Sequence, residues 1–183
     1  MKRLHLGCGA RVIEGWINID EKLDPSVSSD LLQHFAALDL RERLPYDTGS
    51  VDRIFSEHFL EHLHRHDAVK LLKECRRVMI PGGVIRVSVP DLRTLIDKYL
   101  ERDLDFASAV GWAPATPCQL VNEGLRLWGH LFVYDAEELV NVFLEAGFVR
   151  TSVRWVEHGE TKIPDMPVEG RPFLGDLVFE AQR

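Results

Sequence analysis

The chain has 183 residues, 45% hydrophobic and 28% charged, with a formal net charge of −7. That length fits one domain with a sizeable core, and the acidic balance argues against a binder of duplex nucleic acid, which carries a basic face. Three cysteines, Cys8, Cys75 and Cys118, form no C-x-x-C pair and fit a reducing, cytoplasmic compartment. No signal peptide and no membrane association are expected, because no apolar run approaches the roughly 18 residues of a spanning helix.

In chain order, Leu4 and Leu6 belong to a short apolar run that breaks at Gly7-Cys8-Gly9. A second run, Trp16-Ile17-Asn18-Ile19, ends on Asp20. Strand, glycine turn, strand, acid is how a nucleotide-shaped ligand is held over the carboxyl ends of parallel strands. Glycine lets the ligand approach the backbone, and the carboxylate accepts from both ribose hydroxyls. A dinucleotide fingerprint needs a third glycine, but Ala10-Arg11-Val12 follows here, and Asp20 arrives early for it. The pyrophosphate cradle is therefore weak and the first crossover helix short or absent, which favours a ligand with a ribose and no phosphate.

Residues 21–35 read as loop plus a weak helix, Ala36-Ala37-Leu38 as a third strand ending at Asp39-Leu40, and 41–49 as turn. A fourth strand covers 51–56. A helix capped by Asp67 carries Val69, Leu72, Cys75 and Met79 on one stripe. Ile80-Pro81-Gly82-Gly83 stops it, and 84–89 is a β-branched fifth strand. Pro90-Asp91 opens a helix whose Leu92, Leu95, Ile96, Tyr99 and Leu100 form a core-facing stripe. Residues 101–129, interrupted by Gly111, Pro114 and Pro117, read as an insertion capping the substrate over the carboxyl edge of the sheet. Asp135 and Glu138 make a capping box for a helix bearing Leu139, Val140, Phe143 and Leu144, closed by Gly147. A strand over 148–156, a proline-rich loop over 159–175 and a last strand over 177–181 complete the chain. The expected fold is α/β, Rossmann-like and doubly wound: one domain over 1–183, a mostly parallel sheet, a short first helix and a C-terminal antiparallel strand.

Four stretches then carry a family resemblance: Leu4-His5-Leu6-Gly7-Cys8-Gly9, Asn18-Ile19-Asp20, Phe59-Leu60-Glu61-His62-Leu63, and Arg77-Val78-Met79-Ile80-Pro81-Gly82-Gly83. Together they resemble the class I S-adenosylmethionine-dependent methyltransferases, particularly the small bacterial methyltransferase-domain type. The resemblance implies S-adenosylmethionine as cofactor. It places Gly7, Cys8 and Gly9 against the methionine part, Asp20 on the ribose hydroxyls, and Asp39 with Leu40 beside the adenine. Ser56 and Glu57 would face the methionine moiety or the methyl group. His5 departs from the pattern, standing where many members have an acid that helps position the cofactor.

A sulfonium is already an activated methyl donor, so transfer needs in-line positioning and, for oxygen or nitrogen acceptors, a base. His58, following the fourth strand, is the first candidate and His130 the second; either histidine could instead merely hold a loop carbonyl. Glu61-His62 reads as structural at a helix start, and Asp91 as a substrate contact or only an N-cap. Trp112, Trp128 and Tyr134 could line an acceptor pocket or belong to the core. His58-Phe59-Leu60-Glu61-His62 also matches the H-x-x-E-H zinc-peptidase pattern, with His66 one further turn on. The surrounding nucleotide-binding strands argue against that reading, and no metal ligand is assigned. The missing glycine and His5 leave open a module that binds S-adenosylmethionine or S-adenosylhomocysteine without turnover. The expected acceptor is a small hydroxylated molecule, such as a sugar or a secondary-metabolite intermediate, since Ser56-Glu57-His58-Phe59 is not the motif used on exocyclic base amines. The oligomeric state is left open.

Overall fold

Side chains alternate across every strand of this protein, and the two faces they build differ sharply in polarity. The computed structural model describes residues 1–106, 108–172 and 174–183, with Ala109 by its backbone alone. Ala107, in the expected 101–129 insertion, and Phe173, in the expected proline-rich loop, lie outside the described residues. The strands are β1 Lys2–Leu6, β2 Ile17–Asp20, β3 Phe35–Ala37, β4 Val51–Glu57, β5 Met79–Val89, β6 Val153–Trp155 and β7 Leu177–Gln182. The helices are α1 Arg65–Val78, α2 Leu92–Glu101, α3 Pro117–Arg126 and α4 Ala136–Glu145. All seven strands join one sheet in the order β3-β2-β1-β4-β5-β7-β6. Strands β1 to β5 run parallel, and β7 lies antiparallel to both β5 and β6. This is the mostly parallel sheet with an antiparallel C-terminal pair that the sequence predicts. Among the described residues no helix is long and apolar enough to cross a membrane.

The apolar face carries Leu4, Leu6, Ile19, Ile54, Ile85, Val87 and Phe179, packed with Leu72, Cys75, Leu139 and Phe143 from α1 and α4. The opposite face carries His5, Asn18, Phe55, Arg86 and Glu180, all buried. A doubly wound sheet normally covers that second face with a crossover helix, but between β1 and β2 no helix forms. The segment 157–176, between β6 and β7, lies there instead. Ile163 and Met166 pack with Trp16, Phe55 and Val84 in a small second core. Buried Arg86 fastens the segment: its guanidinium donates to both Glu169 carboxylate oxygens at 2.8 and 2.7 Å and to Glu180 at 2.9 Å. Arg11 and Glu57 make a second fastening. Glu57 accepts from Arg11 at 2.5 Å and from the backbone N–H groups of Gly170 and Arg171 at 2.8 and 2.9 Å.

Several boundaries differ from the sequence reading. Helix α1 starts at Arg65 after His64, so Asp67 sits inside its first turn instead of capping it. Met79 leaves the helix to begin β5, and Pro81-Gly82-Gly83 bulges out where Met79 pairs with Val51 and Val84 with Arg53. Strand β3 begins one residue earlier than expected. The expected strand over 148–156 shrinks to Val153–Trp155, because a 3-10 turn occupies Arg150–Ser152. On α2 only Leu95 of the expected stripe is buried, while Ile96, Tyr99 and Leu100 are exposed. The helix packs on α3 rather than on the sheet: Leu95 fills the space left by Gly124, where a Cβ would approach its methyl groups to 2.8 Å. Three N-caps act through side chains: Asp91 accepts from Arg93, Thr116 from Gln119 and Asp135 from Glu138. Only half of the expected capping box forms, since the Glu138 carboxylate pairs with Arg65.

Removing Arg86 leaves Glu169 buried without its cation and Glu180 with Arg154 alone, an arrangement that costs about 3–5 kcal/mol. Arg86→Met is therefore expected to lower the unfolding free energy by about that amount, read from the midpoint of urea denaturation at constant slope.

Candidate functional site

The carboxyl ends of β1, β2 and β4 open onto a cleft of about 460 Å³ lined by Gly7, Gly9, Asp20, Leu38, Asp39, Leu40 and Arg41, among others. Gly7 and Gly9 both lie in the left-handed region at φ 64° and 50°. At Gly9 no heavy atom lies within 4 Å of an added Cβ, so its backbone faces open space. At Gly7 a Cβ would overlap the Phe59 ring. Asp20 accepts from the Gly9 N–H at 2.9 Å and from the Glu21 N–H at 2.8 Å, one bond to each oxygen. A carboxylate has about four lone-pair sites, so both oxygens retain capacity for a ligand. Asp39 is held by Arg41 in two bonds of 2.8 Å, and Arg41 also reaches Glu21 at 2.7 Å, forming a strap across the rim. Hydrogen bonding to Arg41 holds the Asp39 carboxyl below its ordinary range.

A second cavity of about 580 Å³ adjoins the first, and His58, His62 and Arg171 line both. Its other walls include Phe106, Trp112 and Trp128 from the 101–129 stretch, His130, and the carboxylates Glu61, Asp91 and Asp176. Trp112 is fixed by donating its indole N–H to Glu123 at 2.8 Å, and Trp128 stands edge-on to it with ring centroids 5.3 Å apart. His58 follows β4 at φ 50°, a strained backbone for a residue with a Cβ. Its Nδ1 lies 3.4 Å from Glu61 and its Nε2 3.3 Å from Asp176. Burial by itself lowers an imidazole, but the Asp176 and Glu61 carboxylates reverse this, and His58 is pushed up to about 9. At neutral pH His58 is therefore a cation.

His130 is the opposite case. Burial lowers its pKa below the ordinary imidazole value. Its Nδ1 lies 2.9 Å from the Gly124 carbonyl, which can only accept, so Nδ1 carries the hydrogen and Nε2 keeps a bare lone pair. The Glu61 carbonyl accepts from the N–H groups of Leu131 and Phe132 at 2.7 and 3.1 Å, which draws the 130–132 stretch onto the turn holding Glu61 and His62.

Gly7, Gly9, Asp20, Asp39 and Leu40 share the first cleft, and His58 and His130 share the second cavity. Cys8, Ser56 and Glu57 line neither. The Cys8 thiol is buried and pushed up to about 12, chiefly by desolvation. Ser56 points into the apolar face, and Glu57 is spent on Arg11 and the 170–171 backbone. His5 is lowered to about 4 by burial and bonds Asn18 at 3.0 Å on the face covered by segment 157–176. Tyr134 is buried in the core, whereas Trp112 and Trp128 line the cavity and Asp91 both lines it and caps α2. The expected helical face of His58, His62 and His66 does not exist. His58 lies in a left-handed turn, His62 in a 3-10 turn and His66 in α1, so the zinc-peptidase arrangement is not formed. Arg41, Phe59, Arg171 and Asp176 were not singled out by sequence; only the proximity of strand ends and of segment 157–176 reveals them.

Residues 17–87 match a family model described as a methyltransferase domain. Over that stretch the chain is similar to the methyltransferase-domain family. Solved structures share the fold of this chain at low identity. A SAM-dependent methyltransferase from Archaeoglobus fulgidus is 18% identical, with a TM-score of 0.56 over 100% of this chain and 86% of its own. A SAM-dependent methyltransferase from Thermotoga maritima, described as a possible histamine N-methyltransferase, is 16% identical, with a TM-score of 0.53 over 99% of this chain and 81% of its own. PigF, solved with SAH, is 16% identical, with a TM-score of 0.53 over 100% of this chain and 50% of its own. No curated protein matches the chain by sequence. The open backbone at Gly9 beside the unspent lone pairs of Asp20 has the form of a nucleoside site.

The raised His58 pKa stabilises the fold in a defined window. The contribution is complete below the ordinary imidazole value of about 6.5 and is lost as pH rises through about 9. Proton-detected NMR titration is expected to place the His58 midpoint near 9 and to move it down in Asp176→Asn.

Proposed function

We propose that this chain is an S-adenosylmethionine-dependent methyltransferase that acts on a small hydroxylated or amino-bearing acceptor, transferring the methyl group to oxygen or nitrogen. The observation that supports this reading is the shared wall: one cleft has the glycines and acid of a nucleoside site, the neighbouring cavity is aromatic, and His58, His62 and Arg171 front both. Donor and acceptor would meet there. The bound sulfonium supplies the activated methyl group. Gly9 and Asp20 hold its adenosyl part, while Leu38 and Leu40 offer apolar walls and Asp39 with Arg41 closes the rim.

On the acceptor side, Trp112 and Trp128 present ring surfaces suited to a sugar or another cyclic metabolite. Asp91 and Asp176 offer acceptor oxygens for its hydroxyl or amine hydrogens. The 101–129 stretch is the cap over that acceptor. His130, with its bare Nε2, takes the acceptor's proton as the new bond forms. His58 is a poor base while protonated, and we assign it to positioning: its charge orients Glu61 and Asp176 at the junction of the two chambers.

The reading is tested by incubating the enzyme with labelled methyl donor and panels of sugars, phenols and amines, and following S-adenosylhomocysteine release. Asp20→Ala is expected to weaken S-adenosylhomocysteine binding by roughly 10–100-fold in calorimetry, the loss of charge-assisted bonds to the ribose. His130→Ala is expected to lower kcat by about 10²–10⁴ with donor affinity unchanged, the contribution of a general base.

A further inference from the structure

The cavity wall contains a group of donors of which the proposed methyl transfer uses only His130. One ligand atom each from Glu61, His62 and His130 lie within 4.8 Å of one another, and all three residues line the aromatic cavity. Glu61 is fully buried, and neither carboxylate oxygen accepts a hydrogen bond among the described residues. A buried carboxylate without hydrogen bonds is costly unless something else takes its lone pairs. One oxygen lies 3.4 Å from His58 and 4.0 Å from His62, which leaves coordination capacity on both. His130 is prepared in the way metal-bound imidazoles are: Nδ1 is anchored on the Gly124 carbonyl, so Nε2 is directed and deprotonated. The Glu61 carbonyl, bonded to the Leu131 and Phe132 N–H groups, fixes the spacing between the two halves of the cluster.

We propose that Glu61, His62 and His130 form a binding site for a divalent first-row transition-metal ion, with its open positions facing the acceptor cavity. Two imidazoles and one carboxylate are the donor set of zinc and of non-haem iron(II), not of magnesium or calcium. Bonds of about 2.0–2.2 Å set neighbouring donors about 3–3.4 Å apart. The cluster would reach that spacing by rotation of the partly buried His62 toward the anchored His130. His58 then donates to the Glu61 carboxylate from behind and orients it. An ion and a proton compete for the same His130 lone pair. In the ion-loaded enzyme the acceptor oxygen would lose its proton to solvent on binding the ion, which replaces the imidazole in that task. The acceptor class this favours carries a hydroxyl beside a second oxygen, able to fill two open positions at once.

The test uses the full chain, stripped with chelator and titrated with cobalt(II) alone, with no donor or acceptor present. Expected is one equivalent bound with visible ligand-field bands, displaced by zinc. Glu61→Gln and His130→Ala are each expected to weaken binding at least tenfold, His62→Ala likewise, while His66→Ala leaves it unchanged. Thermal unfolding of each variant identifies any that fails to fold, and the partly exposed His62 supplies the variant least tied to the core. Absence of bands, or cobalt binding that survives these three substitutions, overturns the proposal; survival would point instead to the stacked His64–His66 pair on the surface. S-adenosylhomocysteine calorimetry on the same samples reads the methyltransferase assignment separately, so failure of one is distinguishable from failure of the other.

Discussion

The buried Arg86 ion pair is the interaction on which the rest of the molecule depends. Without a helix between β1 and β2, one face of the sheet has no conventional cover, and a strand residue as polar as arginine sits at its centre. Glu169 and Glu180 neutralise that charge, and Glu169 belongs to the segment that replaces the missing helix. Buried ion pairs are poor sources of net stability compared with packed hydrocarbon. What this one supplies is position: it fixes a segment that has little periodic structure of its own. That segment in turn brings Arg171 and Asp176 to the carboxyl edge of the sheet, where they wall the aromatic cavity. The fold's shortcut at the first crossover and the composition of its site are thus one arrangement.

Much of the sheet was legible in the sequence because strand periodicity and glycine punctuation are local signals. The glycine turn, the acid closing β2, and the capped helix before the final strands all follow from neighbours in sequence. That Gly9, Asp20 and Leu40 would share one cleft was legible for the same reason, since each sits at a strand end. The face covered by 157–176 was not. Glu57 stands at a strand end as a ligand-facing residue would, but a strand alternates sides, and at this position the side chain turns to the covered face. Nothing local distinguishes the two outcomes; two of the three partners, Gly170 and Arg171, lie more than a hundred residues away.

The exposed stripe on α2 teaches the same lesson in reverse. Its spacing is that of a core helix, and periodicity alone would bury it against the sheet. Yet Gly124 on α3 lets Leu95 approach so closely that the helix is drawn onto the 101–129 stretch, leaving Ile96, Tyr99 and Leu100 in solvent. The histidines show how electrostatics overrides position. His58 is closest to the expected methyl path but lies between two carboxylates and is protonated. His130, further along the chain, is neutral and oriented. Sequence order ranks them one way, and local charge ranks them the other.

Arg171 fronts both chambers with a side chain that the rim leaves exposed. A cation placed so cannot respond to one occupant without altering the field felt by the other. Occupants of the two chambers would therefore be thermodynamically linked through a single guanidinium, and such a linkage runs equally in both directions. An anionic acceptor would draw the side chain to its own side, and the order in which the two molecules arrive would then govern how tightly each is held.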